Sequence, residues 1–270
     1  MIGFKHISCV SCSDKGLVRS NNEDSMLCLD EAGCYVVSDG MGGAEAGEVA
    51  SQMVVEAIKD AIFGTEEDSP GMRKYAVQQA VHLANRKVQE YSEAHKYQQM
   101  GATMVLFLAD SWEPDVAWLC HVGDSRIYRF RNGKLSLLTR DHTVGQELKG
   151  MSERMAHVLT RAVGIATNVF PEWTNTDLHE GDWFLLCSDG VYNMLQNGQL
   201  EAIFQEKNES GALLARLEEA VREGGAKDNY TAVICRIGAL PTDGKEEHSQ
   251  EEIDENNYLL KISEERLDYA

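Results

Sequence analysis

The sequence lacks the features that would direct the chain to a membrane or to nucleic acid. No stretch approaches the ~18 consecutive apolar residues that a transmembrane helix needs. Basic residues are scarce, because 25 lysines and arginines stand against 44 acidic residues, for a formal net charge of −19. A nucleic-acid partner requires a basic face, so we expect the chain to bind neither a membrane nor nucleic acid. The acidic excess does agree with a site that gathers cations.

Signals for secretion and for a disulfide framework are missing as well. The first residues carry no basic segment followed by an apolar core, which predicts a cytoplasmic protein. The seven cysteines are odd in number and lie mostly within apolar strand-like runs, as expected for buried thiols in a reducing compartment. Cys9 and Cys12 have metal-ligand spacing, but a second cysteine pair is absent, which favours a structural role over zinc binding.

The chain does contain enough apolar residues for a large domain. With 270 residues and 43 % hydrophobic content, it can bury a sizeable core. Strand patterns and helical patterns occur in blocks, which predicts an antiparallel sheet core with helices outside it. From residue 102 onward the spacing predicts an antiparallel meander, with a hairpin turn at Asn132-Gly133. The predicted strands are 4–13, 25–30, 35–38, 103–109, 116–122, 127–130, 135–138, 172–178, 183–187 and 230–237, and the predicted helices are 44–63, 72–94, 200–206 and 211–222.

Four aspartates stand at the edges of predicted strands. Asp39 ends an apolar strand, and three glycines follow it within four positions, so backbone carbonyls can approach a ligand there. Asp189 ends a second such strand, Asp124 follows a third, and Asp228 directly precedes the last. A single Asp-Gly pair predicts only an ordinary turn. The recurrence of an aspartate at four strand edges favours a shared cation site.

Together with Glu23, these aspartates would form a cluster of like charges. Such proximity raises carboxyl pKa values steeply unless divalent cations occupy the cluster. Carboxylate and carbonyl oxygens, without converging cysteines or histidines, favour Mg²⁺ or Mn²⁺. Two such ions acidify a bridging water and hold a phosphoryl group for in-line attack, which fits hydrolysis of a phosphate ester. Arg19 would bind the phosphate oxygens, although a solvated loop with a surface ion pair is the competing interpretation of that segment.

Eight short blocks of residues follow one another along the chain. They are Arg19 with Glu23-Asp24, Asp39-Gly40-Met41-Gly42-Gly43, Gly101-Ala102-Thr103, Gly123-Asp124-Ser125-Arg126, Thr139-Arg140-Asp141-His142, Leu159-Thr160-Arg161, Ser188-Asp189-Gly190 and Asp228-Asn229. Their order resembles the metal-dependent serine/threonine protein phosphatases, the PPM or type 2C family, bacterial type. The resemblance covers roughly residues 4–237, and the shared order is highly specific although each block alone is weak.

The resemblance implies an α+β fold, a four-layer α/β/β/α sandwich in which two antiparallel sheets are flanked by helix pairs. It also implies two Mn²⁺ or Mg²⁺ ions and a weaker third ion. By position, Asp39 would bridge the two ions, with Asp189 and Asp228 completing one site. Glu23 and the Gly40 carbonyl would complete the other.

The resemblance assigns catalytic and accessory roles to three more positions. Arg19 matches the phosphate-binding arginine of the family, and Asp24 matches a partner of metal-bound water. Asp124 matches a ligand of the third ion, which it would share with Asp189.

Three departures from the family pattern bear on mechanism and substrate. Met41 stands where many eukaryotic members have a histidine proposed as general acid, so the proton would come from metal-bound water. Ala44 replaces a histidine that is frequent after the two glycines, so a minor contact outside the metal ligands is expected to be missing. The segment 144–158 is short compared with the flap of bacterial relatives, so substrate choice can differ. His142, beside Asp141, is interpreted as a histidine hydrogen-bonded near a helix start rather than as a proton carrier.

Three functions remain open at this level. The favoured one is hydrolysis of phosphoserine and phosphothreonine in proteins, because no metal-site carboxylate is missing. The others are a metal-stabilised phosphoprotein adaptor with little turnover and a phosphatase of small phosphorylated metabolites. We expect a monomer whose partners are phosphorylated protein substrates and a cognate serine/threonine kinase. The expected domains are a catalytic domain at 1–238 and an acidic, mobile tail at 239–270.

Overall fold

The structure, a computed structural model, describes Phe4 and residues 6–42, 45–65, 69–97, 99–147, 153–206 and 209–240. The strands are β1 (Ile7–Asp14), β2 (Asp24–Leu29), β3 (Cys34–Met41), β4 (Gly101–Ala102), β5 (Met104–Ala109), β6 (Val116–Val122), β7 (Arg126–Arg131), β8 (Lys134–Leu137), β9 (Glu172–Asp177), β10 (Trp183–Cys187) and β11 (Tyr230–Ile237). The helices are α1 (Glu45–Gly64), α2 (Met72–His95), α3 (Val144–Glu147), α4 (Glu153–Ala156), α5 (Asp189–Tyr192), α6 (Gln199–Glu206) and α7 (Ser210–Glu223). Gly43, Ala44, part of the predicted flap at 148–152, and the predicted tail from residue 241 onward lie outside the described residues.

The strands form two antiparallel sheets that pack face to face. One sheet has the order β1-β11-β10-β7-β8, and the other has the order β2-β3-β5-β6-β9, with β4 paired to β3. Helices α1 and α2 cover the outer face of the second sheet, while α6 and α7 cover the outer face of the first. The predicted α+β class and four-layer α/β/β/α sandwich are therefore confirmed.

Strand alternation accounts for the three hydrophobic layers of this sandwich. All side chains of β5 are buried. Leu106 packs against the α1 and α2 layer, whereas its neighbour Phe107 points between the two sheets. In β10, Leu185 likewise packs under α6 and α7, and Leu186 points between the sheets. Because both faces of the central strands are covered, these strands read as continuous apolar runs.

Antiparallel pairing brings the predicted acidic residues to one end of the sandwich. Strands β3, β6 and β10 finish at this end, whereas β2, β5, β7 and β11 begin there. Asp39 lies near the end of β3, and Asp124 and Asp189 follow the ends of β6 and β10. Glu23 precedes β2, and Asp228 precedes β11.

The predicted meander is wrong, although its strands exist. Strand β5 pairs with β6 in one sheet, and β7 pairs with β8 in the other. The chain crosses between the sheets at the turn 123–125. An apolar run shows that both faces of a strand are buried, but it carries no information about which strand lies beside it. The hairpin itself is confirmed, because Asn132 and Gly133 have the positive φ angles of 52° and 78° that this tight turn requires.

Two further observations concern the cysteines and the helices. All seven cysteines are free thiols, and Cys9 Sγ lies 3.5 Å from Cys28 Sγ across the two sheets. Along the described part of the chain, no helix combines the length and the apolar character that crossing a bilayer would take.

Candidate active site

Asp24 and Asp39 face each other across β2 and β3. They are direct partners in the antiparallel register, so their side chains lie on the same face of the sheet. The Asp39 N–H donates to Thr103 Oγ1 at 3.0 Å, and the Asp39 carbonyl accepts from the Thr103 N–H at 2.8 Å. Thr103, directly before β5, thus fixes the backbone of Asp39 and sets the direction of its carboxylate.

The other sheet contributes Asp189, at the point where β10 turns into α5. The preceding residue, Ser188, donates its hydroxyl to Asp24 Oδ2 at 2.7 Å and accepts from the Thr231 N–H at 3.0 Å. Asn193 Nδ2 donates to Asp189 Oδ2 at 3.1 Å. Because the Ser188 bond joins the ends of the two sheets, it brings Asp189 to the Asp24 and Asp39 pair.

Asp228 meets Arg19 at the start of β11. Arg19 Nη2 donates to Asp228 Oδ2 at 2.7 Å, and the Asn229 N–H donates to Asp228 Oδ1 at 2.8 Å. The Asn229 side chain accepts from the Glu23 N–H at 2.9 Å and donates to two carbonyls of the loop 15–21, at 2.9 and 2.8 Å. One asparagine therefore holds the loop that carries both Arg19 and Glu23 against the last strand.

Asp124 approaches the same carboxylates from the crossing turn 123–125. Ser125 Oγ lies 2.7 Å from Thr103 Oγ1, the hydroxyl that also holds the Asp39 backbone. Tyr192 Oη donates to the Asp124 carbonyl at 3.0 Å. The turn is thereby fastened to Thr103, directly before β5, on one side and to α5 on the other.

Glu23 and the Gly40 carbonyl lie against the first turn of α1. The Gly40 N–H donates to the Glu23 carbonyl at 3.1 Å. A Cβ on Gly47 would lie 2.8 Å from Glu23 Cδ and 2.9 Å from the Gly40 carbonyl carbon, so glycine is required there by close packing. Burial raises the pKa of Glu23 above its usual value. These contacts set the Glu23 carboxylate beside the Gly40 carbonyl.

The carboxyl groups repel one another in this enclosed setting. Burial raises the pKa of Asp39 well above its usual range, and repulsion from Asp24 and Asp189 raises it further. Burial and then Asp189 raise the pKa of Asp124 to about 7. Burial raises the pKa of Asp24 to about 6, although the Ser188 hydrogen bond acts in the opposite direction. The site is therefore short of positive charge.

A hard divalent cation fits this group of side chains. Within this cluster the candidate ligands are carboxylate or carbonyl oxygens, which suit Mg²⁺ or Mn²⁺. The buried Asp24 Oδ1 has no hydrogen-bond partner among the described residues, as expected for an oxygen that faces a hydrated cation. Asp228 accepts one protein hydrogen bond at each oxygen, and since each oxygen has two acceptor sites, it retains lone pairs for a metal.

The structure brings the predicted site residues to one end of the sandwich: Arg19, Glu23, Asp24, Asp39, Gly40, Asp124, Asp189 and Asp228. Sequence reasoning missed the residues that hold them in place. Thr103 and Asn229 lie within the family blocks but received no role, and no sequence signal singled out Gly47. His157, directly after α4, was also missed. Burial and Asp228 raise the pKa of Asp189, while Arg19 and the imidazole of His157 lower it.

Comparisons with known proteins agree with this geometry. The chain is 34 % identical over 238 residues to the serine/threonine protein phosphatase PstP of Mycobacterium tuberculosis, a match that covers 83 % of this chain and 44 % of that protein. Among solved structures, PppA of Pseudomonas aeruginosa superposes with a TM-score of 0.78 at 32 % identity, covering 86 % of this chain and 98 % of that one.

Another structure, the catalytic domain of PstP in complex with two manganese ions, superposes with a TM-score of 0.74 at 31 % identity, covering 86 % of this chain and 99 % of that one. The chain thus spans less than half the length of full-length mycobacterial PstP but nearly all of its catalytic domain. The sequence model of the family described as Protein phosphatase 2C matches residues 14–225, so the chain belongs to the protein phosphatase 2C family.

Proposed function

We propose that this chain hydrolyses phosphoserine and phosphothreonine in proteins with the help of Mn²⁺ or Mg²⁺. The observation that carries the proposal is the meeting of acidic groups from both sheets: the carboxyl pKa values of Asp39 and Asp124 are raised, and Asp228 holds Arg19 beside them. Family membership and the named relatives support the substrate class.

In this proposal, one set of oxygens holds the cations and two side chains serve the reaction. The cations, when bound, acidify an attacking water and neutralise charge on the phosphoryl group. The proposed cation-holding groups are Asp39 as the shared ligand, Asp189, Asp228, Glu23, the Gly40 carbonyl and, for a weaker third ion, Asp124.

Arg19 binds and orients the phosphoryl group. Half of its side chain is exposed, while Asp228 holds one of its nitrogens. The guanidinium can therefore donate to a phosphate without giving up its place. Asp24 acts as an acceptor for the water molecules of the site, because Ser188 holds one of its oxygens and the other has no hydrogen-bond partner among the described residues.

The decisive experiment measures phosphate release from a phosphothreonine peptide with and without millimolar Mn²⁺, for the wild type and for Asp39→Asn. We expect Mn²⁺-dependent release that falls by several orders of magnitude in the variant. The exposed Asp60 of α1 gives a matched control, Asp60→Asn, which should retain full activity. A tight phosphoprotein complex with no turnover, unaffected by Asp39→Asn, would instead support the adaptor function.

A panel of small phosphorylated metabolites, assayed in parallel, separates the two hydrolytic functions. Faster turnover of a metabolite than of any phosphoprotein would overturn the assignment of the substrate class.

We further propose a signalling role in the cytoplasm for a monomer that acts on a cognate serine/threonine kinase or its targets. We also propose that residues 1–238 form the catalytic domain and that residues 239–270 form an acidic tail.

A further inference from the structure

His142 and His121 form a stacked pair beside the turn that carries Asp124. Their ring centres are 4.5 Å apart, and their exposed fractions are only 2 % and 4 %. His121 lies in β6 and pairs in register with Glu172 of β9. Neither imidazole belongs to the proposed cation-holding set, so the proposed chemistry leaves two buried titratable groups without a role.

The hydrogen bonds around His142 select one neutral form of its ring. The Gly123 N–H donates to His142 Nδ1 at 3.1 Å, so this nitrogen carries no proton. The proton then resides on Nε2, which faces Glu172 Oε2 at 3.4 Å. Arg161 Nη1 lies 3.4 Å from the same Nε2 and opposes a positive charge on the ring. Burial first, and then His121, lower the pKa of His142, which keeps the ring neutral near pH 7.

The neutral imidazole of His142 binds Gly123, the residue directly before Asp124. Besides the hydrogen bond from the Gly123 N–H to His142 Nδ1, the Gly123 carbonyl accepts from the backbone N–H of His142 at 2.9 Å. Two hydrogen bonds therefore join the two residues. The His142 carbonyl in turn accepts from the Thr160 N–H at 2.9 Å, at the end of the segment 144–158. His142 therefore links the base of that segment to the crossing turn 123–125.

We propose that His142 is a positioning residue for Asp124: as the Nε2-protonated neutral imidazole, held by Glu172, it fixes the crossing turn and so sets the affinity of the weakest metal ion. The inference rests on the proposed function, in which Asp124 holds that ion. A protonated His142 would present an N–H to the Gly123 N–H, two donors facing each other, and would release the turn. Acidification thus loosens Asp124 through a group other than Asp124 itself.

The charged and titratable groups around His142 determine how readily it is protonated. Glu172 from β9 favours the imidazolium, whereas Arg161 and the stacked His121 disfavour it. His121 is itself held by the Arg140 carbonyl, 2.9 Å from its Nε2. Two neighbours are held by ion pairs, since Arg161 also binds Glu147 at 3.1 Å and the adjacent Asp141 binds Arg126 at 2.7 Å.

Two substitutions at His142 separate a positioning role from a merely structural one. In His142→Asn, the amide oxygen takes approximately the place of Nδ1, so it accepts from the Gly123 N–H but does not titrate. In His142→Gln, the amide lies near the place of Nε2 and leaves the Gly123 N–H without its partner. Both variants remove the same ring, so damage from lost packing should affect them alike.

The readout is Mn²⁺ binding to the full chain by calorimetry between pH 5 and pH 8, with Mn²⁺ alone as the probe. At pH 8 we expect His142→Asn to bind the weakest ion within about twofold of the wild type and His142→Gln to bind it about tenfold more weakly. On acidification, both proteins should lose affinity for that ion, because Asp124 becomes protonated in both. The wild type should lose affinity more steeply than His142→Asn, because only the wild type also protonates His142. Equal weakening in the two variants, or a wild type that binds only two Mn²⁺ ions, would overturn the proposal.

A second measurement needs no substitution at a buried position and no metal. Nitrogen-15 spectra of the histidine rings in metal-free protein should show His142 with the proton on Nε2 at pH 7.5. Glu172→Ala, at a side chain that is 52 % exposed, should move the protonation midpoint of His142 to lower pH. The control Glu180→Ala should leave it unchanged. A proton on Nδ1 in the wild type would refute the inference, whereas loss of phosphate release alone would bear only on the proposed function.

Discussion

Replacement of Asp24 by asparagine should stabilise the metal-free protein at alkaline pH, although it removes a group proposed to serve the reaction. Asp24 is nearly completely buried, and its pKa is about 6 against an ordinary value of 3.8. This difference of roughly two pKa units corresponds to about 3 kcal/mol between the two protonation states. Ionised Asp24 therefore destabilises the folded, metal-free chain by up to about 3 kcal/mol.

The sign of the pH dependence follows from the raised pKa. Between pH 4 and pH 6 the folded state binds more protons at Asp24 than the unfolded state does, so the stability of the wild type falls as pH rises through 6. Asparagine has no ionised form, and its amide oxygen can still accept from Ser188. We thus expect equal stability of the two proteins near pH 4 and a gain for Asp24→Asn of about 3 kcal/mol at pH 8.

Urea denaturation in the presence of a chelator, at several values between pH 4.5 and pH 8, measures this gain. In thermal denaturation it corresponds to a rise in Tm of about 6 to 12 °C for a chain of this size. The control Asp60→Asn removes an exposed charge and should show no such pH-dependent gain. A constant difference between Asp24→Asn and the wild type across the pH range would refute the reasoning. Added Mn²⁺ should stabilise the wild type more than the variant.

Two further substitutions test the phosphate-binding and cation-holding parts of the site. Arg19→Lys keeps the charge but loses the forked donor group, so kcat/KM for a phosphopeptide should fall about 10- to 100-fold, the equivalent of one lost charged hydrogen bond of about 1.5 to 3 kcal/mol; Arg216→Lys is the control, and equal activity of both would contradict the role of Arg19. Gly47→Ala places a methyl group 2.8 Å from the Glu23 carboxyl carbon and should weaken Mn²⁺ binding by about tenfold in calorimetry without unfolding the chain. Gly64→Ala, in the same helix but with open space around it, should bind Mn²⁺ normally, and unchanged binding in Gly47→Ala would exclude the proposed packing against Glu23.

The spacing of apolar residues was enough to predict most elements of the fold. The strands 116–122, 183–187 and 230–237 have the predicted bounds, because each is a short run of mostly apolar or β-branched residues between polar turns. The placement of Asp39 and Asp189 at strand ends was predictable for the same reason. The hairpin at Asn132-Gly133 was predictable because few other residue pairs adopt two successive positive φ angles.

The pairing of strands was not predictable from these local patterns. Residues 116–122 and 126–131 are neighbours in sequence but belong to different sheets, and the three residues between them do not encode that crossing. The pattern likewise contained no indication that the Ser188 hydroxyl would reach Asp24 from the opposite sheet. Such contacts depend on how the two sheets stack, and the stacking results from many weak contacts between their side chains.

The positions of the acidic residues along the chain therefore indicate which oxygens are available to bind a cation for the hydrolysis of a phosphate ester. Whether those oxygens meet depends on contacts between residues that are far apart in sequence. Asn229 joins the loop 15–23 to the last strand, and His142 binds Gly123 in the turn that carries Asp124. Local sequence records the chemistry of each group because side-chain type and backbone propensity are local properties. Distance and burial, and with them the raised carboxyl pKa values, exist only once the two sheets have packed together.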